Sequence, residues 1–209
     1  MPPRPYHSPR RQAAADATLQ AVLDAAMQAF GDVGYGRATI AAIARTAQVA
    51  PATVHAVVGG KPQLVLALVE RGTQLPEIAA VLQSATAESD PVQAVERLVA
   101  GVRRVQDDVA GVARVMAEAA ASEPLVGDLA SRVEAMTREG FTEFVEHLDA
   151  LGVLRPHGTA AASRERAVDA LWYLLGYPSW EVLTRMGWAQ DQAEVFLREH
   201  VAHAVLGPR

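Results

Sequence analysis

The stretch TIAAIARTAQVAPATVHAVVGGK, from Thr39 to Lys61, has the pattern of a short helix, a tight turn and a second helix. Thr39 is a suitable N-cap residue for the first helix. Pro51 suits the first position of the second helix, where its missing N–H costs nothing. Ala44 is small enough for the inside of the elbow, and Val54 has the spacing of an inward-facing position. The stretch therefore predicts a helix-turn-helix, with Val49 buried in the turn and Val58 on the inner face of the second helix.

Helical patterns also surround this stretch. Apolar residues from Leu19 to Phe30 recur at i, i+3, i+4 and i+7, which predicts an amphipathic helix beginning near Thr18. Pro62 predicts the entry of a fourth helix. Beyond Gly72, further helices are predicted at about 75–86, 91–108, 111–122, 125–151, 163–187 and 191–206. We therefore expect an all-α fold of about nine or ten helices, with an N-terminal three-helix head and a C-terminal helical bundle.

Composition limits the classes of protein to which the chain can belong. Half of its 209 residues are apolar, which suits a globular protein. It contains no cysteine, so disulfide frameworks, thiolate zinc sites and cysteine nucleophiles are excluded, and a reducing cytoplasm is the simplest location. The N-terminus lacks the apolar core of a signal peptide, and no apolar run reaches the roughly 20 residues that span a bilayer. We expect a soluble, unprocessed protein.

Charge is unevenly distributed along the chain. Residues 1–61 carry six basic and three acidic side chains, a net charge of +3, within a chain whose net charge is −5. The remaining residues therefore carry −8. A basic head on an acidic body allows local contact with phosphate without general affinity for polyanions, although arginine-rich ends can also serve only solubility. Residues 1–12, with four prolines and three arginines, are predicted to be a flexible basic arm that does not start a helix.

The head and the end of the chain resemble one known family. AAMQAFGDVGYGRATIAAIARTAQVAPATVHAVVGGKPQLVLALV, from Ala25 to Val69, is similar to the TetR family of transcriptional regulators nearly position by position. DALWYLLGYPSWEVLTRMGWAQDQAEVFLREHVAHAVL, from Asp169 to Leu206, more weakly resembles the last two helices of that family. The resemblance implies a homodimer with a helix-turn-helix DNA-binding domain at 13–61 and a ligand-binding and dimerisation domain at 62–209.

The resemblance also indicates which residues would contact DNA. Lys61, the only lysine in the chain, falls where the family contacts phosphate, and Thr39 falls where a helix N-terminus meets the phosphodiester. Arginines of the arm could enter a minor groove, and Arg37 and Arg45 lie nearer the backbone contacts. The predicted DNA-binding residues are Arg10, Arg11, Arg37, Thr39, Arg45, Ala50, Pro51, Ala52, Thr53, His55 and Lys61.

Four positions depart from the family pattern. The family usually has serine or threonine at the N-cap of the second helix, glycine in the turn, and tyrosine and phenylalanine further along, whereas this chain has Ala50, Gln48, His55 and Val58. Alanine and proline side chains cannot hydrogen-bond to base edges and can touch only thymine methyls. The first hypothesis is a repressor that a small, largely apolar effector releases from its operator. The alternative is a ligand- or protein-binding module whose degenerate head no longer reads DNA.

The body offers candidate effector-binding residues but no catalytic motif. Large flexible or aromatic side chains there suit either the core or an apolar pocket with a few polar handles. The predicted ligand-binding residues are Arg103, Met116, Met136, Phe141, Phe144, Trp172 and Tyr173, with a surface ion pair as the alternative role of Arg103. His200 and His203 lack a third ligand nearby in the sequence, and GGKP is not a phosphate-binding loop. We therefore expect no enzyme activity, no metal and no cofactor.

Overall fold

The computed structural model describes residues 9–73 and 76–208, except for the side chains of 9–11, 73 and 76–78. Within these ranges the fold is all-α, as predicted, and its only pairing of β type is an isolated bridge between Leu154 and Leu206. The ten helices found there are α1 (Pro9–Val33), α2 (Ile40–Thr46), α3 (Pro51–Val57), α4 (Lys61–Thr73), α5 (Pro76–Thr86), α6 (Pro91–Ala120), α7 (Pro124–Ala150), α8 (Ala160–Leu175), α9 (Tyr177–Arg185) and α10 (Gln190–Val205).

The chain divides into two compact units. Unit 1 contains the chain up to Gly72 together with Gly111–Ala130, and unit 2 contains Thr73–Ala110 and the chain from Ser131 onward. The units differ from the domains predicted at 13–61 and 62–209, because α4 and the turn between α6 and α7 belong with the helix-turn-helix helices. A long-range return of the chain of this kind leaves no local sequence pattern.

In unit 1, helices α1, α2 and α3 pack against one another. Ala44 in the elbow and Val54 on the inner face of α3 are 1% and 0% exposed, as the helix-turn-helix pattern predicts. Val49 and Val58 are only partly buried. The small side chain of Ala44 lets α2 and α3 approach closely, and burial of Val54 turns the opposite face of α3 outward.

The prediction that residues 1–12 start no helix is wrong for residues 9–12. Helix α1 begins at Pro9, because proline is tolerated in the first turn, where the backbone N–H groups have no partner within the helix. Downstream, the Gln12 side chain donates a hydrogen bond of 3.0 Å to Asp16, one turn along. Residues 1–8, with Arg4, lie outside the described residues, as do the side chains of Arg10 and Arg11.

Two predicted helix boundaries in the body are also wrong. Helix α6 runs without a break from Pro91 to Ala120, because a single glycine such as Gly111 costs a helix only about 1 kcal/mol and does not end it. An added Cβ at Gly111 would lie 3.1 Å from the Met27 Cε atom. The predicted helix 163–187 is two helices that meet at Gly176. A Cβ at Gly176 would lie 2.6 Å from the carbonyl oxygen of Trp172, and Pro178 cannot continue the hydrogen-bond ladder.

The core of unit 2 is continuous across its helices. Helix α10 packs against α8 and α9. Fully buried members of this core include Phe144 and Leu148 on α7, Leu171 on α8 and Leu197 on α10. Helix α5 packs closely on α6, since a Cβ at Gly101 would lie 2.6 Å from a methyl carbon of Val81. Unit 2 is thus held together by apolar contacts between helices distant in sequence.

No single helix among residues 9–73 and 76–208 is long and apolar enough to cross a membrane. Helices α3 and α4 meet that criterion only when counted together, and they are bent by 55° at their junction.

Candidate nucleic-acid interface

Thr39 caps helix α2 as the sequence predicts. Its backbone is extended, and its Oγ1 accepts a hydrogen bond of 3.2 Å from the backbone N–H of Ala42. The hydroxyl oxygen therefore serves the helix, while the hydroxyl hydrogen can still donate outward. Because Thr39 is exposed at the N-terminus of α2, an anion could approach the unpaired N–H groups there.

The turn between α2 and α3 has the backbone conformation that favours glycine, with a different residue in place. Gln48 has a φ of 58°, the only positive φ of a non-glycine residue within the described ranges. The turn is closed by a hydrogen bond of 3.0 Å from the Val49 N–H to the Ala44 carbonyl oxygen. A left-handed backbone costs a residue with a Cβ roughly 1 kcal/mol relative to glycine, so Gln48 is a source of strain in the turn.

Helix α3 begins without a side-chain cap. Ala50 has the extended backbone of an N-cap residue, φ −71° and ψ 148°, but provides no side-chain acceptor, and Pro51 follows. On the outer face of α3, Ala52 and His55 are exposed, and Thr53 is partly buried. Within α3, hydrogen-bonding side chains that could reach a base edge are therefore limited to Thr53 and His55.

Two arginines of the head are exposed. Arg37 lies in the loop before α2 and donates from Nε to the Val33 carbonyl oxygen at 2.8 Å, so its terminal amino groups extend from an anchored side chain. Arg45 lies in the last turn of α2. Both are available to phosphate oxygens, which accept well from guanidinium groups.

Lys61, at the start of α4, makes contacts that the sequence did not predict. Its Nζ donates to the carbonyl oxygens of Tyr35 at 2.7 Å and Gly36 at 3.4 Å, and it lies 4.4 Å from the centroid of the Tyr35 ring. An ammonium group has three N–H donors, so one remains for a phosphate. Contact of Lys61 with phosphate stays a prediction. The structure adds a role within the fold, because Lys61 joins the start of α4 to the loop before α2.

Tyr35 is a buried tyrosine with partners from distant parts of the chain. Its backbone N–H donates to the Glu118 carboxylate at 3.1 Å, and its hydroxyl donates to Glu123 at 3.1 Å. Its ring lies 5.4 Å from that of Phe30, centroid to centroid. Burial, and secondly the Glu123 carboxylate, raise the pKa of Tyr35 to about 12. The hydroxyl is therefore protonated near neutral pH and acts as a donor.

Sequence reasoning missed the role of Tyr35, Glu118 and Glu123. The sequence GYGR marks a loop, but nothing in it indicates that the tyrosine is buried. The carboxylates lie 83 and 88 residues further along the chain. Correlated substitutions among related sequences, or the fold itself, would be needed to connect these residues.

The seven predicted ligand-binding residues differ in their burial and in the unit to which they belong. Met116 belongs to unit 1, and the other six belong to unit 2. Phe141 and Phe144 are buried in the core, and Trp172 is partly buried against it, whereas Met136 and Tyr173 are 64% and 71% exposed. On α7, Phe144 is therefore core and Met136 is surface, and a pocket formed by the predicted residues stays a prediction.

Arg103 makes ion pairs of 3.5 Å with Asp107 and 3.8 Å with Glu194. The Arg103 side chain is 34% exposed. These contacts match the surface ion pair that was the alternative role for this residue.

Two open grooves occur in unit 2, with volumes of about 560 and 760 Å³. The larger lies between α7 and α8 and has four glutamates in its wall, Glu139, Glu143, Glu146 and Glu165. Neither groove is lined by any of the seven predicted residues. Across the described side chains, no group of three or more His, Asp or Glu residues has the arrangement of a metal site.

Comparison with known proteins identifies the head. Residues 22–68 match the family model of bacterial regulatory proteins of the tetR family. No curated protein sequence matches the chain significantly.

Solved structures match almost the whole fold. NalD of Pseudomonas aeruginosa, the secondary repressor of the MexAB-OprM multidrug efflux pump, is 18% identical with a TM-score of 0.70 over 92% of this chain and 98% of that chain. SmeT, the repressor of the Stenotrophomonas maltophilia efflux pump SmeDEF, is 18% identical with a TM-score of 0.68 over 92% of each chain. SmeT has also been solved as a complex with triclosan. A TetR-like transcriptional regulator from a Rhodococcus species is 18% identical with a TM-score of 0.63 over 88% of this chain and 93% of that chain.

Proposed function

We infer that this chain, whose head is a tetR-family helix-turn-helix and whose fold is that of tetR-family regulators, is a DNA-binding transcriptional regulator. The observation that carries this proposal is the orientation of α3. Its inner residue Val54 is fully buried, while Ala52 and His55 on the outer face are exposed, as a helix that enters a major groove requires.

Contacts to the DNA backbone would supply most of the affinity. Arg37 and Arg45 are exposed, Thr39 lies at an accessible helix N-terminus, and Lys61 retains one N–H donor. Such contacts position a protein on DNA but carry no sequence information directly. With base-edge donors on α3 limited to Thr53 and His55, we propose that sequence preference comes largely from these two residues and from the shape of the DNA.

The proposal is tested by measuring binding to a fluorescent duplex of the region upstream of the protein's own gene. Affinity is followed by anisotropy from about 50 to 300 mM salt, because phosphate contacts make it fall steeply with salt. Arg45→Ala should weaken binding and reduce the magnitude of the salt slope. Arg185→Ala, which removes an exposed arginine from unit 2, is the matched control.

The alternative function is favoured by one specific feature, the lack of hydrogen-bonding side chains at Ala50, Pro51 and Ala52. A chain whose head no longer reads DNA would bind neither the upstream duplex nor a scrambled duplex at low salt. That result would favour a ligand- or protein-binding module.

We propose that the regulator is a homodimer that pairs α8 and α10 with the same helices of a second copy. Tyr173 on α8 and Val195 on α10 support this, since they are large apolar side chains exposed by 71% and 44%. Light scattering should give twice the 22.2 kDa of one chain. Tyr173→Glu should shift the mass toward the monomer, and Leu125→Glu, at a 42% exposed position of unit 1, should not.

We propose further that the protein acts in the cytoplasm as a repressor, released from its operator by a small, largely apolar effector bound in the body. The net charge of −8 on residues 62–209 disfavours an anionic effector. Triclosan, bound by the structurally similar SmeT, is a suitable first probe. Quenching of tryptophan emission, with a parallel loss of DNA affinity, would support effector release, because binding and release are linked reciprocally. Quenching without any change in DNA affinity would contradict it.

A further inference from the structure

The loop between α1 and α2 carries two candidate DNA contacts and two glycines. It runs from Gly34, with a φ of 79°, through Gly36 to Arg37 and Thr39. Glycine gives a chain more conformational freedom than any other residue. Local hydrogen bonds from the Ala38 N–H to the Gly34 carbonyl oxygen and from Arg37 Nε to the Val33 carbonyl oxygen hold part of this loop. Further contacts come from distant parts of the chain.

Those contacts meet at Tyr35. Lys61 at the start of α4 donates to its carbonyl oxygen, while Glu118 near the end of α6 accepts from its backbone N–H. Glu123, just before α7, accepts from its hydroxyl. The tyrosine itself is 3% exposed, so water cannot easily replace a partner that Tyr35 loses. All four residues belong to unit 1.

We propose that Glu118 and Glu123 are positioning residues for DNA binding, which hold Tyr35 and thereby orient Arg37, Thr39 and Lys61 toward the phosphates. The proposal rests on the proposed DNA-binding function and adds to it two residues that lie outside the helix-turn-helix and touch no DNA. Holding the loop in its bound conformation before DNA arrives removes an ordering cost from association.

The negative charge of Glu118 provides a test, because electrostatics and positioning predict opposite effects of its removal on DNA binding. Removing a carboxylate from a protein that binds a polyanion should strengthen binding by simple electrostatics. Positioning predicts the opposite for Glu118, because its loss leaves the Tyr35 N–H without its partner and frees the loop. Asp128, an exposed carboxylate on α7 within unit 1, provides a matched control for charge removal.

The experiment measures DNA affinity and its salt dependence for the full chain and its variants on the upstream duplex. Glu118→Ala should bind about tenfold more weakly than wild type, as expected for the loss of one charge-assisted hydrogen bond. Its salt slope should be unchanged, since no phosphate contact is deleted. Glu118→Gln keeps a carbonyl acceptor for the N–H and should restore most of the affinity. Asp128→Ala should bind as well as wild type or slightly better.

A second variant keeps the proposal falsifiable if Glu118→Ala fails to fold by circular dichroism. Tyr35→Phe deletes only the hydroxyl that donates to Glu123 and should weaken DNA binding roughly threefold to tenfold with an unchanged salt slope. Wild-type binding together with unchanged or stronger binding by Glu118→Ala or Tyr35→Phe would overturn the inference and leave the proposed function standing. Absence of binding by wild type would overturn both.

Discussion

The Nζ atom of Lys61 donates a hydrogen bond of 2.7 Å to the carbonyl oxygen of Tyr35, 26 residues earlier in the chain. Lys61, which the family resemblance predicts to contact phosphate, thus also joins the start of α4 to the loop before α2. The same ammonium lies over the tyrosine ring at 4.4 Å. This double contact means that substitution of Lys61 alters the stability of the head as well as its charge.

Lys61→Met should lower the free energy of unfolding of unit 1 by about 1–2 kcal/mol, through loss of a charged hydrogen bond and a cation–π contact. Methionine keeps the apolar stem, so the loss reports on the ammonium group. Urea unfolding measures it, with Arg45→Met, at an exposed position of α2, as the control. Equal stability of Lys61→Met and wild type would show that these contacts contribute nothing net.

Gln48→Gly should raise the free energy of unfolding of unit 1 by up to about 1 kcal/mol. At a φ of 58°, glycine avoids the steric cost of a Cβ, which exceeds the extra chain entropy that glycine loses on folding. Gln48→Ala retains the Cβ and serves as the control with little expected change. Thermal unfolding distinguishes the two, and a destabilised glycine variant would refute the strain argument.

Ala50→Ser should stabilise unit 1 by about 1 kcal/mol. The backbone at Ala50 is already extended, so a serine hydroxyl can accept from a free N–H in the first turn of α3. Ala52→Ser adds the same hydroxyl inside the helix, where no cap is possible, and should be neutral or slightly destabilising. Urea unfolding compares the two serine variants, and equal effects on the free energy of unfolding would argue against capping.

Stability should fall at alkaline pH because of Tyr35. Folding raises the pKa of its hydroxyl from 10 to about 12, which means that the fold favours the neutral phenol. The stability from this preference is fully present below pH 10 and is lost as the pH rises from 10 through about 12. The loss should reach about 2–3 kcal/mol.

Tyr35→Phe has no hydroxyl to titrate and is the control for this alkaline loss. The difference in unfolding free energy between wild type and Tyr35→Phe should therefore shrink as the pH rises across this range. A difference that stays constant would mean that Tyr35 titrates alike in the folded and unfolded chains.

Phe144→Ala should destabilise unit 2 by about 3–5 kcal/mol, since Phe144 is 0% exposed and its removal leaves a cavity. Met136→Ala, at a 64% exposed position on the same helix, should change stability by less than about 0.5 kcal/mol. Chemical unfolding of the two variants tests the assignment of Phe144 to the core. A small effect at Phe144 would instead support its predicted place in a pocket.

The sequence alone determined the local features of this protein. Thr39 and Pro51 mark helix starts by capping and by the fixed φ of proline, and the periodicity around Ala44 and Val54 identifies the inner faces of α2 and α3. These features depend on interactions among residues a few positions apart, so a pattern in the chain is enough to predict them.

The tertiary structure decided the features that depend on contacts between residues far apart in the sequence. Gly111 lies within a continuous α6 and close to the end of the Met27 side chain, and only the fold shows that contact. On helix α7, Phe144 is core and Met136 is surface, since the sequence of a helix does not reveal which neighbours cover each of its faces. The hydrogen bonds from Tyr35 to Glu118 and Glu123 join residues more than 80 positions apart, and no local pattern in the chain marks that pairing.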